Sequence, residues 1–318
     1  MTKCGAAKNA NGTFQLYCIA DPMDTIAQIE QGILRCPKTK QRLCISSDRQ
    51  WLVTEDNAHR YRFLDGRIPI LLTDPGSTAE YASASKRMNE EYSLDEVQKR
   101  HSLFSRLKQF LNSDYRTDAS KKAFQGMFVD LPGEALCLSI GGGPARAHDR
   151  LVNVNIGPFP NVDVVADAHQ LSYADESVDA VYSEAVFEHL HAPNKAAGEI
   201  FRVLKPGGKI FICTPFMFPY HGYPHHYQNY TISGHRQLFE SAGLKVIECG
   251  VCVGPVYTLT NVVGVFIREY SPRILRMPLR ILWSALAVAI RPLDKIVGKR
   301  PNAHILASTT YIVAEKSV

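Results

Sequence analysis

One stretch, from Leu136 to Phe216, constrains this chain more than any other. It reads LCLSIGGGPAR, then VDVVADAHQL, then SVDAVYSEAVFEHL, then RVLKPGGKIFICTPF. Four apolar runs each end in a glycine turn or a polar tip. Such alternation of strands with loops and helices predicts an α/β protein: a mostly parallel sheet with helices on both faces. In such sheets the ligand sits beyond the C-terminal ends of the strands. Strands are predicted at 136–140, 151–156, 163–168, 178–183, 209–214, 245–251 and 307–315. Helices are predicted at 184–191, 194–203 and 233–242, the last with an N-cap in Thr231 or Ser233 and a stop at Gly243. The interval from Ile140 to Leu151 is about the minimum for a parallel crossover. That from Ile156 to Asp163 is too short for a helix, so the second and third strands are predicted to join without one.

Bulk properties set the outer limits. A chain of 318 residues makes one large or two modest domains. Its 45% hydrophobic and 21% charged content is that of an ordinary soluble protein. A net charge of +5 is too mild to demand a nucleic-acid partner. The N-terminus has no apolar core of signal-peptide length, so the expected location is the cytoplasm.

Taken in order, the glycine loop IGGGPAR, the DVVADAHQL segment, the VYSEAVFEHL segment and LKPGG before KIFICTPF resemble class I S-adenosylmethionine-dependent methyltransferases, in particular the type-11 group. The resemblance covers roughly 134–250 and the last strand. It implies a Rossmann-like sheet, S-adenosylmethionine as cofactor and methyl transfer as the reaction. Gly141 and Gly143 would let the methionine part of the cofactor approach closely. Asp167 would accept from the adenine amino group, with Ala168 and His169 beside the ring. Glu184, Phe187, Glu188 and His189 would lie near the methionine or the substrate. Pro206-Gly207-Gly208 would be a structural turn. Two positions depart from the family: Ser139 stands where an acid usually meets the methionine ammonium, and Asn155 where an acid usually holds the ribose hydroxyls. Neither side chain carries a charge, which costs roughly 1–2 kcal/mol for each lost charged hydrogen bond. The third loop glycine is Ala145.

Methyl transfer to a hydroxyl or amine needs a nucleophile about 3 Å from the methyl carbon and a place for its proton. The loop TPFMFPYHGYPHHYQNYT (214–231) supplies the candidates His221, His225, His226 and Tyr220, with Tyr223, Tyr227 and Tyr230 nearby. The bland alternative is a lid whose rings pack on one another. The three histidines have no carboxylate close in sequence, so no metal is expected.

Two further segments flank this core. Residues 33–73 carry short strand-like runs around the turn Asp65-Gly66, and resemble the zinc ribbon of transfer-RNA methyltransferase activators. Of the four expected ligand positions only Cys36 is a cysteine; the others are Thr39, Thr54 and Asn57, so no zinc is predicted. The module would then cover the catalytic domain or serve as a spacer. Residues 1–32 read as an N-terminal extension, and 74–130 as a helical linker with Leu103, Phe104, Leu107, Phe110 and Leu111 at helical spacing. The domain of 131–318 contains an insert, 254–303, before the last strand. It holds eight basic and two acidic residues, a net of +6, more than the whole chain's +5. Its apolar runs, 262–267 and 281–290, fall short of the ~18 residues that span a bilayer. A helical cap packed on the catalytic domain is the expected reading. Peripheral membrane contact through 262–300, or an anionic lipid-linked substrate, is the alternative.

Together these readings predict a methyltransferase acting at oxygen or nitrogen of a small-molecule, sugar- or lipid-linked acceptor. The uncharged Ser139 and Asn155 motivate an alternative, a catalytically inactive binding or scaffold protein on the same fold. Nucleic-acid methylation is less favoured, because no basic stripe lies outside the insert.

Overall fold

The computed structural model describes residues 4–8, 14–18, 24–73, 75–91, 116–222 and 225–318. The helical reading around Leu103 to Leu111 lies outside the described residues. Strands β1 (Cys4–Lys8) and β2 (Phe14–Cys18) form an antiparallel pair. After a short helix α1 (Thr25–Glu30), strands β3 (Leu43–Ile45), β4 (Trp51–Thr54), β5 (Arg60–Leu64) and β6 (Ile68–Leu71) form an antiparallel meander. Helix α2 (Pro75–Glu91) and helix α3 (Asp118–Gly126) lead to the central strands β7 (Cys137–Ile140), β8 (Leu151–Asn155), β9 (Val164–Ala166) and β10 (Val178–Glu184). Helix α4 (Pro193–Val203), strand β11 (Leu204–Pro215), helix α5 (Ile232–Ser241) and strand β12 (Lys245–Val253) follow. The insert holds α6 (Pro255–Tyr270), α7 (Arg273–Ile290) and the single turn α8 (Asp294–Val297), and strand β13 (Thr309–Glu315) ends the sheet.

The sheet order is β12-β13-β11-β10-β7-β8-β9-β6-β5-β4-β3. Strands β7 to β11 pair in parallel and β13 runs antiparallel between β11 and β12. Seven strands from β9 to β12 thus form the doubly wound Rossmann-like sheet expected from the sequence, with its order switching between β7 and β10. Strand β7 is buried along its whole length, as a central parallel strand must be.

The N-terminal module continues this sheet. Strand β6 pairs parallel with β9 through Ile70–Val165 and Leu71–Ala166. An open β9 edge would leave a row of backbone donors and acceptors unpaired, and β6 covers it. Leu34, Leu52, Tyr61 and Leu71 enter the same core as Val152, Val164 and Tyr173. The positions compared with zinc ligands are tied by local hydrogen bonds. The Cys36 thiol lies 3.1 Å from the Tyr61 hydroxyl, Thr39 N donates to Cys36 Sγ, Thr54 Oγ donates to Asp56, and Asn57 N donates to the Thr54 carbonyl.

The link between β8 and β9 has no helix, as predicted, and neither has the one between β7 and β8. Side-chain clips take the place of helix packing there. Arg146 makes a two-pronged ion pair with Asp163 at 2.8 and 3.0 Å, and Asp163 also accepts from Asn153 N. The helix predicted at 184–191 is a single 3-10 turn, Phe187–His189. Ala185 sits at φ 53°, a left-handed conformation that an α-helix cannot contain. Helix α5 begins as predicted, with the Thr231 hydroxyl accepting from Gly234 N.

Candidate active site

A cavity of about 260 Å³ opens beyond the C-terminal ends of β7, β8 and β9. Its floor is Ile140, Gly141 and Val154; its walls include Asp167, Ala168, His169, Val186 and His189. Helix α2 closes the top with Glu80, Ser83 and Ala84.

Gly141 is the glycine that the site requires. Its φ of 76° is left-handed, and its N–H donates to the Val154 carbonyl at 2.8 Å. A Cβ there would stand 2.1 Å from Val186 Cγ2. Gly143 is different: it has an ordinary φ, a Cβ would meet nothing within 4 Å, and it does not line the cavity.

Asp167 caps the 3-10 turn Ala168–Gln170. Its Oδ1 accepts from His169 N at 2.8 Å and lies 2.7 Å from His169 Nδ1, while Oδ2 accepts from Ser77 Oγ of α2. Burial acts to raise this carboxyl, but the bonds from His169 and Ser77 outweigh it and hold it at about 2. Asp167 therefore stays ionised as an acceptor at the cavity wall.

The two departures from the family pattern have distinct fates. Asn155 lines the cavity, but its amide braces the loop: Nδ2 donates to the Gly142 carbonyl at 2.9 Å and Oδ1 accepts from Gly157 N at 3.1 Å. Ser139 is buried in β7 and does not line the cavity. Glu184 also points elsewhere. The period of two along β10 places it on the face of Ala180 and Tyr182, opposite the face of Val181. It is ion-paired with Arg116 and accepts from the Tyr182 hydroxyl. Ser139, Gly143 and Glu184 thus lie apart from the cavity, whereas Gly141, Asn155, Asp167, Ala168 and His169 meet around it.

An acid does reach the cavity, from α2. Glu80 lines the cavity, and its carboxyl is pushed up by burial and by the Asp167 charge. Sequence reasoning missed it because α2 lies outside the methyltransferase-like segment. A polar, charged helix of weak amphipathicity carries no signal for which turn faces a ligand.

The histidine loop divides as well. His226 is fully engaged, Nδ1 accepting from His221 N and Nε2 bonded to Asn229 Oδ1 at 2.7 Å. Tyr220 is exposed and stacked on His226, and His225 is exposed. His221 alone approaches a carboxylate, with Nε2 3.7 Å from Oε1 of the fully buried Glu188. Glu188 raises the His221 imidazole against a smaller opposing effect of burial. His189 lies 3.6 Å from the same oxygen and lines the cavity. Tyr223 lies outside the described residues.

Residues 143–212, which run from the glycine loop through β11's core, match the family model of a methyltransferase domain. This segment of the chain is similar to a methyltransferase domain. Over 54 residues it is 43% identical to the demethylmenaquinone methyltransferase of Renibacterium salmoninarum, covering 17% of this chain and 23% of that one. Over 51 residues it is 43% identical to the malonyl-[acyl-carrier protein] O-methyltransferase of Methylococcus capsulatus, covering 16% and 18%. The match therefore spans less than a quarter of these curated relatives. Among solved structures, phosphoethanolamine N-methyltransferase 2 of Haemonchus contortus with S-adenosyl-L-methionine is 14% identical, covers 74% of this chain and 60% of that one, and superposes with a TM-score of 0.42.

A methyltransferase domain needs a methyl donor, and S-adenosylmethionine is the donor expected from the sequence. The residues present fit it. A glycine whose missing Cβ leaves room beside Val186 lies on the cavity floor, ionised Asp167 offers an acceptor, and Glu80 offers a second carboxyl group.

Proposed function

We propose that this protein is an S-adenosylmethionine-dependent methyltransferase whose acceptor is a small molecule, sugar- or lipid-linked, methylated at oxygen or nitrogen at a membrane surface. The observation that carries the activity is the cavity bounded by Gly141, Asp167 and Glu80 at the switch in strand order. When bound there, the cofactor supplies an electrophilic methyl group on a sulfonium. Asp167, Ala168 and His169 would hold its adenine side. Glu80 would meet a ribose hydroxyl or the ammonium in place of Ser139 and Asn155. The groups placed to promote loss of the acceptor's proton are Glu188, His189 and His221, not His226 or Tyr220, which are otherwise engaged or exposed.

Calorimetric titration with S-adenosylmethionine tests this reading. Glu80→Gln keeps the shape and removes the charge, and is expected to weaken binding about tenfold, the value of one charged hydrogen bond. Asp167→Ala should weaken it more, since it also removes the bonds that Ser77 and His169 make to this carboxylate. No heat from the unmodified protein at millimolar cofactor would reject the enzyme reading. That outcome would favour the scaffold alternative, which one observation supports: both oxygens of Asp167 and both ends of Asn155 already have protein partners.

The insert supports the membrane part of the proposal. Only Ala287 is buried along α7. Leu275, Leu279, Leu282 and Leu286 recur at heptad-like spacing and are all exposed, as are Leu259, Val262, Phe266 and Tyr270 along α6. The expected packed cap is thus corrected: the insert is anchored, but its apolar stripes face outward. The anchors are Asp294, whose two carboxylate oxygens accept from Val256 N and Tyr257 N, and Arg291, buried on Thr260 and over the Tyr257 ring. Among the described residues no helix is long and apolar enough to cross a membrane. An amphipathic hairpin bordered by Arg273, Arg276 and Arg280 fits a position lying in the anionic interface.

A further inference from the structure

Glu188 presents an unusual arrangement. It is fully buried, yet neither carboxylate oxygen has a hydrogen-bond partner among the described residues. An ionised carboxylate in that position is strongly unfavourable unless a positive group compensates it. Two imidazoles stand beside it, and their outer nitrogens show what they can offer. His189 Nδ1 lies 2.5 Å from the His225 carbonyl, and His221 Nδ1 lies 3.1 Å from the Pro219 carbonyl. A carbonyl only accepts, so each Nδ1 carries a hydrogen. In a neutral ring each Nε2 then presents a lone pair.

Both Nε2 atoms face the same oxygen of Glu188, at 3.6 and 3.7 Å. With both rings neutral, three lone-pair donors converge with no hydrogen between them, all within 4.8 Å of one another. These gaps exceed a hydrogen bond of about 2.7–3.2 Å. They match instead the ligand-to-ligand edge around an ion with metal–ligand bonds of about 2.0–2.2 Å. A proton on one ring would address one gap and leave the other; a cation between the three addresses all of them. The carbonyl bonds on both Nδ1 atoms are also the kind of outer support that orients metal-bound histidines.

We propose that Glu188, His189 and His221 form a binding site for a divalent transition-metal cation such as Zn²⁺ or Mn²⁺. Two imidazoles and one carboxylate suit such ions, and three protein ligands leave a coordination position open. His189 also lines the cavity, so a cation held here would border it. A cation there would hold an acceptor oxygen and acidify it, its proton passing to solvent. This role rests on the methyl-transfer reading; metal binding itself does not.

The test uses the full chain carrying no polyhistidine tag, stripped with chelator and then titrated with Zn²⁺ by calorimetry and with Co²⁺ by visible absorption. One ion per chain is expected, with ligand-field bands of a four- or five-coordinate Co²⁺ site. Glu188→Gln and His221→Asn should each weaken binding at least about 100-fold, beyond the effect of losing an outer-shell partner. Circular dichroism reports whether each variant is folded, and His304→Asn, at an exposed site, should bind as the unmodified protein does. Absence of stoichiometric binding, or equal affinity in folded His221→Asn and His304→Asn, would overturn the proposal. S-adenosylmethionine is titrated separately. Metal binding without cofactor binding sinks the methyl-transfer reading and leaves this site standing; cofactor binding without metal binding does the reverse.

Discussion

Gly141→Ala is expected to abolish useful cofactor binding and to lower the melting temperature by roughly 5–15 °C. The added methyl has two costs. The residue must hold a left-handed φ of 76°, which penalises any Cβ by about 1–2 kcal/mol. The methyl would also lie 2.1 Å from Val186 Cγ2, and forcing this half-buried neighbour aside costs about 1–3 kcal/mol. Val186 itself lines the cavity, so any shift that relieves the clash alters the cradle. Gly143→Ala is the control. Its Cβ meets nothing and its φ is ordinary, so stability should change by less than about 0.5 kcal/mol. Thermal melts and calorimetry on the pair decide the matter. Equal melting of the two variants would show that the loop is not built as described.

The insert carries the second large effect. Ile274 is 89% and Leu282 70% exposed, a poor arrangement in water for side chains of this size. Burying a leucine or isoleucine in the acyl boundary is worth about 1.5–3 kcal/mol. Leu282→Asp should therefore weaken binding to vesicles containing anionic lipid by roughly 10–100-fold. Replacing the exposed Arg273 and Arg280 by glutamine should weaken it further at low salt and less at high salt, because exposed charges are screened. Vesicle flotation measures both. Recovery of the unmodified protein in the soluble fraction, with anionic lipid present, would reject a membrane surface. Concentration-dependent dimerisation lost in Leu282→Asp would assign the stripe to a second copy of the chain instead.

Much of the central sheet could be read along the chain. The period-two and all-apolar runs of β7 to β13 are local signals, and each strand appears within a few residues of its predicted place. The Thr231 cap and the helix-free link between β8 and β9 follow from local chemistry and from counting residues. The 184–191 helix failed because a residue at φ 53°, Ala185, is held there by the surrounding structure and not by its own preference.

The candidate site was only partly legible. Gly141 and Asp167 lie inside a recognisable pattern, so their place in it pointed to the cavity. Glu80 reaches the same cavity from a helix more than fifty residues earlier in the chain, and nothing local marks it. Gly141 and Gly143 look equivalent as letters, and only backbone φ and the position of Val186 separate them. The pattern also offered Glu184, but strand alternation carries it to the opposite face, onto Arg116 and Tyr182.

By itself, then, the sequence determined the class of fold and the strand succession, because these depend on periodicity and on turn chemistry within short windows; the kind of ligand came from the resemblance of its loops to a known family. The tertiary structure alone decided three things. It joined the N-terminal meander to the β9 edge, where an unpaired strand needed a partner. It turned the insert's leucines outward, because Asp294 and Arg291 anchor the hairpin through its polar side. It also brought Glu188, His189 and His221 around one point, a meeting of a strand-following turn and a distant loop that no spacing along the chain encodes.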